Sequence, residues 1–207
     1  MVGKTTSASD WSSSKPKMGR NKQARRARRK SAQERHENGT SVESRERLRR
    51  QYCPARVRLL FVGEAPPASG RFFYRADSEL YRAIRDTFVT VWPSLRSSDR
   101  QFLEAFRAMG CYLLDLCAEP VDRLDPRLRH SIRRAGETRL ARRLQKLRPM
   151  IVITVLRSIG CNVRRAEAAA GWSGLHVELP YPGRWHRFRI MFRRKLMRLL
   201  RTALRSN

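Results

Sequence analysis

The sequence predicts an α/β protein, a three-layer α/β/α sandwich with a central, mainly parallel sheet of about four strands. Short apolar runs, each stopped by glycine, proline or a charged residue, recur along the chain, and segments with helical spacing separate them. Strands that alternate with helices pair in parallel, because each helix returns the chain to the same end of the sheet. The length of 207 residues suits one such domain plus an extension.

Four apolar runs are predicted to form the strands. They lie at residues 57–62, 111–116, 150–155 and 176–179. The third run reads Met-Ile-Val-Ile-Thr-Val, and a continuous apolar stretch of this length is typical of a strand buried on both faces.

Apolar residues at three- and four-residue spacing predict five helices. These helices are residues 78–91, 98–108, about 137–147, 159–170 and about 187 to the C-terminus. Ser98 is a candidate N-cap of the second helix, and Gly171 is placed to end the fourth. The last helix has an apolar face and an opposite face of arginines, which suits either simple solvation or contact with phosphates.

Residues 1–50 are predicted to form a disordered basic extension, and residues 51–207 the folded domain. The first 50 residues are rich in Ser, Arg and Lys and have few large apolar groups, so they bury too little surface to offset the entropy of ordering. A run within them contains Arg25, Arg26, Arg28 and Arg29, which would bind phosphates non-specifically. A nuclear signal and a solvated tail are the alternatives.

The net charge of +28 predicts a polyanionic partner. The first 50 residues carry a net charge of +10 and the remaining residues +18, so the folded part shares the excess. Nucleic acid, DNA above all, is the expected partner because phosphate neutralisation releases counterions. A codon bias towards arginine explains part of the excess, since 39 of the 46 cations are Arg.

An anionic membrane surface is the lesser rival as a partner. No apolar run approaches the roughly 18 residues of a membrane span, and no secretory signal is apparent. We therefore expect a monomer in the cytoplasm, associated with the nucleoid in a bacterium or placed in the nucleus of a eukaryote, with no membrane contact.

Three loops are expected to meet at one edge of the sheet and to form the functional site. They are residues 63–74, 115–125 and 180–186, which follow the first, second and fourth strands. Ligands of parallel α/β sheets gather at the carboxyl ends of the strands.

The first loop carries groups suited to base recognition. Gly63 permits a sharp turn and close approach of a ligand, and Glu64 can orient water. Phe72 and Phe73 lie beside Arg71 and offer stacking faces for a base. The alternative is that these rings are core residues that cover the end of the sheet.

The sequence Gly-Glu-Ala-Pro at residues 63–66 resembles the first motif of the iron–sulfur uracil-DNA glycosylases, which reads Gly-Glu-Ala-Pro-Gly. That family has an Asn after its second strand, then Cys-x-Pro and Asn-Arg, where this chain has Asp115, Cys117, Pro120 and Asp122-Arg123. Residues 179–186 lie where the family has its His-Pro-Ser loop. The chain thus resembles a divergent member of the uracil-DNA glycosylase superfamily over residues 56–200.

The resemblance implies a DNA repair protein whose pocket accepts a flipped base and cleaves its N-glycosidic bond with water. By this resemblance the water-positioning loop is formed by Gly63, Glu64, Ala65 and Pro66. Phe72 or Phe73 would stack on the base, and Asp115 would contact its Watson–Crick edge.

The resemblance also implies a wedge loop that enters the minor groove. Its inserting side chains would be Tyr181, Arg184 or Trp185, and His186 would be a catalytic electrophile. Further phosphate contacts are expected from Arg71, Arg189 and Arg193.

Three departures from the family pattern leave alternatives open. Pro67 replaces the second glycine of the first motif, His-Pro-Ser is missing, and Asp115 replaces Asn. An ionised Asp115 cannot donate to a uracil carbonyl, so it reads another base edge or stays protonated. A catalytically inactive nucleic-acid-binding protein of the same fold is one alternative, and a nucleotide hydrolase is another.

No cofactor is expected. The iron–sulfur glycosylases have Cys-x-x-Cys ahead of the first motif, where this chain has only Cys53. The other cysteines, Cys111, Cys117 and Cys161, do not follow the family spacing, and inert thiols in a reducing compartment are the interpretation we favour.

Overall fold

The computed structural model describes residues 41–183 and 185–204. The strands are β1 (Leu59–Gly63), β2 (Cys111–Asp115), β3 (Ile151–Thr154) and β4 (Leu175–Glu178). The helices are α1 (Val42–Gln51), α2 (Glu79–Val91), α3 (Asp99–Ala108), α4 (Pro126–Leu147), α5 (Gly160–Ala170) and α6 (His186–Ala203). The predicted phosphate contacts of Arg25, Arg26, Arg28, Arg29 and Arg184 lie outside the described residues.

The sheet has the strand order β2-β1-β3-β4, and every neighbouring pair is parallel. Gly63 of β1 is in register with Asp115 of β2, so the two predicted site loops leave the sheet side by side. Helices α4 and α5 pack together on one face, while α2 packs against α6 on the other. The predicted α/β/α sandwich with four parallel strands is confirmed.

An aromatic cluster fills the layer between the sheet and helices α2 and α3. Phe106 of α3 lies 5.6 Å from Phe61 of β1 and 5.5 Å from Phe88 of α2, measured between ring centroids. Phe61, Phe88 and Phe106 have no exposed surface. Rings of this size contribute most of the apolar area that a core buries, so the cluster fixes how the helices sit on the sheet.

Helix α4 begins earlier than the sequence pattern predicts, at Pro126 rather than near residue 137. The carboxylate of Asp125 accepts hydrogen bonds from the backbone N–H groups of Arg127 and Leu128, both at 3.0 Å. Proline suits the first position of a helix because its missing N–H has no helical partner there. The predicted start of this helix near residue 137 is therefore wrong.

Helix α1 lies within the segment that was predicted to be disordered. Ser41 caps it by accepting from the N–H of Ser44 at 3.1 Å. Its buried side chains are Arg45 and Arg49, which bind polar groups of the domain rather than apolar ones. A search for apolar spacing cannot detect such a helix. The prediction of disorder is therefore wrong for residues 42–50, and it stays a prediction for residues 1–40.

Gly136 lets α4 approach the loop that follows β2. A β-carbon added at this position would stand 2.4 Å from the carbonyl oxygen of Leu116. We expect Gly136→Ala to lower the free energy of unfolding by about 1–3 kcal/mol, because overpacking outweighs the helix propensity of alanine, about 1 kcal/mol. Urea unfolding measures this, with Ser131→Ala on the exposed side of α4 as the control. Equal stabilisation by both changes would contradict the prediction.

Within the described ranges, no helix combines the length and the apolar character that crossing a bilayer requires.

Candidate functional site

A cavity of about 370 Å³ lies at the carboxyl edge of the sheet. The first loop lines it with Gly63, Glu64, Ala65, Pro66, Pro67, Arg71, Phe72 and Phe73. The second loop contributes Asp115, Val121 and Asp122, the third contributes Tyr181, and α4 adds Arg129. The prediction that the three loops share one edge of the sheet is confirmed.

Glu64 is held by two arginines of α4. Its Oε1 accepts from Nε of Arg129 and from Nε of Arg133, each at 2.6 Å, and its Oε2 accepts from Nη2 of Arg129. Burial raises the pKa of Glu64, but the hydrogen bonds from Arg129 and Arg133 outweigh it, so the pKa lies below its ordinary value. Glu64 is therefore a carboxylate at neutral pH.

The lowered pKa of Glu64 predicts a pH-dependent stability. A carboxyl group whose pKa is lower in the folded state stabilises the fold above its unfolded pKa, about 4.3, and loses that contribution as the pH falls through the folded pKa. We expect the difference in free energy of unfolding between the parent protein and Glu64→Gln to narrow between pH 5 and pH 3. Urea unfolding at several pH values measures it, and a constant difference would contradict the assigned pairing.

Asp115 is held by a buried arginine of α1. Its Oδ2 lies 2.6 Å from Nη2 of Arg49, whose guanidinium also lies 5.2 Å from the ring centroid of Phe72. Burial raises the pKa of Asp115, and Arg49 and Arg139 oppose that rise. Arg139 also donates to the carbonyl oxygens of Asp115 at 2.8 Å and Leu116 at 3.0 Å. The start of the second loop is thus fixed by arginines from two helices.

The three aromatic residues of the first loop are all buried, with exposed fractions of 3% or less. Phe72 and Phe73 nevertheless line the cavity. Tyr74 is part of the core, where its hydroxyl accepts from the N–H of Leu113 at 2.8 Å and donates to the carbonyl of the same residue at 3.1 Å. The two phenylalanines therefore belong to the core and also form part of the cavity wall.

The first loop is braced by the second loop and by hydrogen bonds within its own segment. Asp122 of the second loop accepts from the N–H of Ala68 at 3.1 Å, and the carbonyl of Pro67 accepts from Gly70 at 3.1 Å. Arg75 donates to the carbonyl of Gly70 at 3.0 Å. A loop with its polar groups satisfied in this way holds its shape before a ligand arrives.

The third loop contributes less to the cavity than the resemblance implies. Tyr181, 41% exposed, lines the cavity, and Trp185, 57% exposed, precedes α6. His186 is the exposed first residue of α6 and is not among the residues of the cavity wall. The structure does not bring His186 to Glu64, because the helix begins at this residue and places it on the outer surface.

The arginines of α6 predicted to bind phosphates are exposed but already have partners. Arg189 donates to the carbonyls of Pro182 and Gly183, both at 3.4 Å, and so braces the third loop. Arg193 donates to Oγ1 of Thr90 at 3.2 Å. Phosphate contact by these two side chains stays a prediction.

The family described as Uracil DNA glycosylase superfamily matches residues 50–197, from the end of α1 into α6. This chain belongs to that superfamily. No curated protein matches it. The match covers all four strands and every residue named in the cavity wall.

The four cysteines of this member of the uracil-DNA glycosylase superfamily lie in or beside three separate elements. Cys53 follows α1, Cys111 and Cys117 lie in and after β2, and Cys161 is exposed in α5. Burial raises the pKa of Cys117 to about 11 and raises that of Cys111 as well, so both are neutral thiols in the metal-free protein. Within the part of the chain that the structure describes, no three His, Cys, Asp or Glu side chains form a metal-binding group.

The residues that sequence reasoning missed in this superfamily member are the arginine partners of the site carboxylates. They are Arg49, Arg129 and Arg133. Arg129 and Arg133 are four residues apart and so share one face of a helix, but this spacing has meaning only once α4 is known to start at Pro126. The signal that could have revealed that start was Asp125-Pro126, a cap followed by a first-turn proline.

Proposed function

We propose that the domain binds DNA, accepts an extruded base in the cavity and hydrolyses the N-glycosidic bond of a modified or deaminated base. This makes it a repair enzyme of the Gly-Glu-Ala-Pro type, for which uracil-type bases are the substrates that the resemblance implies. One observation carries the proposal: a single cavity joins the ionised Glu64, the ring of Phe72 and the polar edge of Asp115. Those are the groups needed to position water, stack a base and contact its edge.

The hydrogen bonds to Glu64 leave room for a water molecule. A carboxylate has about four lone-pair positions, and Oε2 accepts one hydrogen bond, from Arg129. The remaining lone pair of Oε2 can accept from a water and orient its oxygen towards the sugar of a bound nucleotide. Arg129 and Arg133 fix the carboxylate in place, so the water is positioned without further movement.

The outer surface around the cavity supports contact with DNA. Arg71 lines the cavity and is exposed, while Tyr181 and Trp185 provide exposed rings that can enter a groove or stack on bases. Arg187 and Arg194 are exposed on α6 and can meet phosphates. The charge excess of the folded part of the chain agrees with such a surface.

The proposal is tested by incubating purified full-length protein with oligonucleotides, single- and double-stranded, that carry uracil, hypoxanthine, xanthine or a thymine mismatch. The product scored is the abasic site. Release of at least one base would support the enzymatic function. No release from any substrate, together with salt-sensitive binding, would contradict it for these bases.

A second candidate is base inspection without cleavage. The observation that favours it is that both carboxylate oxygens of Glu64 already accept hydrogen bonds from arginine, so a water must use the last open position. If the domain inspects bases without cleaving them, Arg129→Gln should produce no base excision, like the parent protein. Binding of an oligonucleotide that carries an unpaired base should exceed binding of the matched duplex.

A further inference from the structure

Asp115 lies in the cavity wall as an acceptor held by a buried cation. Arg49, 4% exposed, donates to its Oδ2 at 2.6 Å, and arginine keeps its proton in proteins. The ion pair with Arg49 stabilises the carboxylate form of Asp115, which accepts hydrogen bonds and donates none. Among residues 41–183 and 185–204, Arg49 is the one side-chain hydrogen-bond donor to this carboxylate, and it occupies Oδ2.

The other oxygen, Oδ1, lies across the end of β1. A β-carbon added at Gly63 would stand 2.8 Å from Oδ1, so the glycine is what lets the carboxylate occupy this place. Gly63 and Asp115 both line the cavity. The carboxylate is thus held through Oδ2 by Arg49, and its Oδ1 lies beside the bare backbone of Gly63, which shares the cavity wall.

Bases differ in what they offer to such an acceptor. The Watson–Crick edge of uracil presents one N–H between two carbonyl oxygens, and these oxygens are repelled by a carboxylate. The same edge of guanine presents a ring N–H next to an amino group, so the two lone pairs of Oδ1 can accept one hydrogen bond from each. A polar group left without a partner in a buried site loses its hydrogen bonds to water and gains none in return. The difference in binding free energy between guanine and uracil is therefore large.

We propose that Asp115 makes the cavity select a base with a guanine-type edge, in which two N–H donors are adjacent, over uracil. The inference rests on the proposed base-binding function of the cavity and replaces the uracil-type substrates that the resemblance implies by guanine lesions that keep this edge. The cavity volume of about 370 Å³ admits a purine, being within the roughly 300–1,000 Å³ of small-molecule sites.

The test is a binding series with the full-length protein. Three single-stranded oligonucleotides of identical sequence carry 2′-fluoroarabino-guanosine, -inosine or -uridine at the central position, since the fluorine slows glycosidic cleavage and lets binding be measured alone. We expect guanosine to bind about tenfold more tightly than inosine, which lacks the amino group, and uridine to bind more weakly than inosine. Equal affinities for guanosine and uridine would overturn the inference.

A variant pair adds a second readout. In Asp115→Asn the side chain both donates and accepts, so the ratio of guanosine to uridine affinity should fall at least about fivefold. Asp125→Asn makes the same chemical change at the cap of α4, where asparagine caps equally well, and should keep the parent ratio. An unchanged ratio in Asp115→Asn would overturn the inference. Should that variant fail to fold, which circular dichroism shows, the parent series decides alone.

The outcome separates this inference from the proposed hydrolysis. A guanosine preference in binding without excision of any base would support the inference and contradict the enzymatic function. Excision with uracil as the preferred base would support the enzymatic function and contradict the inference.

Discussion

Replacing Glu64 with glutamine should reduce base excision at least about a hundredfold while DNA affinity changes less than about threefold. A positioned carboxylate that orients or activates water contributes roughly 10²–10⁴ in rate. Glutamine keeps the shape and can still accept from Arg129, but it loses the charge that the two arginines compensate. Single-turnover excision and fluorescence anisotropy measure the two quantities on the same oligonucleotide.

A matched control for this change is Glu104→Gln. Glu104 lies on α3 and belongs to a surface groove at the amino end of the sheet, opposite the cavity, so excision should not change. An equal loss of excision and binding in Glu64→Gln would refute the assigned role, since it would indicate a general disturbance of the loop.

Deleting residues 1–50 should destabilise the domain by about 3–5 kcal/mol more than deleting residues 1–40 does. The longer deletion removes Arg45 and Arg49 and leaves Asp115 buried without its counter-charge, a change of the kind that typically costs this much. The shorter deletion keeps α1 complete. Urea unfolding of both truncated proteins and of the full chain measures the difference.

The shorter deletion also tests the role of the basic extension. It should flatten the dependence of DNA affinity on salt, because the extension carries phosphate-binding arginines, and it should leave excision by the bound protein unchanged.

Equal stability of the two truncated proteins would contradict the assignment of α1 to the folded domain. Arg49→Met in the full chain should reproduce part of the loss seen with the longer deletion.

The fold was predictable because each strand is an apolar run that the sheet buries on both faces. Residues 59–63 and 111–115 could be placed from this pattern alone, and the rule that ligands gather at the carboxyl ends of parallel strands then located Glu64 and Asp115 at one edge. The predicted site edge is correct for this reason.

The partners of the two carboxylates were not predictable in the same way. Arg49 is buried and Arg133 is half-buried, both in ion pairs with carboxylates, whereas sequence patterns of apolar residues assign arginines to the surface. The prediction that His186 lies at the site differs from the structure for another reason, because the order of motifs along the chain does not fix where a helix begins. Only the capping geometry around residue 185 decides that, and Trp185 makes no side-chain cap there.

The buried pair of Arg49 and Asp115 also constrains how this chain can diverge. A single mutation of Asp115 to asparagine would leave a cation unpaired in the interior, and a single loss of Arg49 would leave an anion unpaired. Each one-step path passes through a poorly folded intermediate, so the two positions should change together among descendants. A change to an amide at this edge of the cavity therefore requires a change at position 49 as well, so folding stability restricts how this part of the cavity wall can evolve.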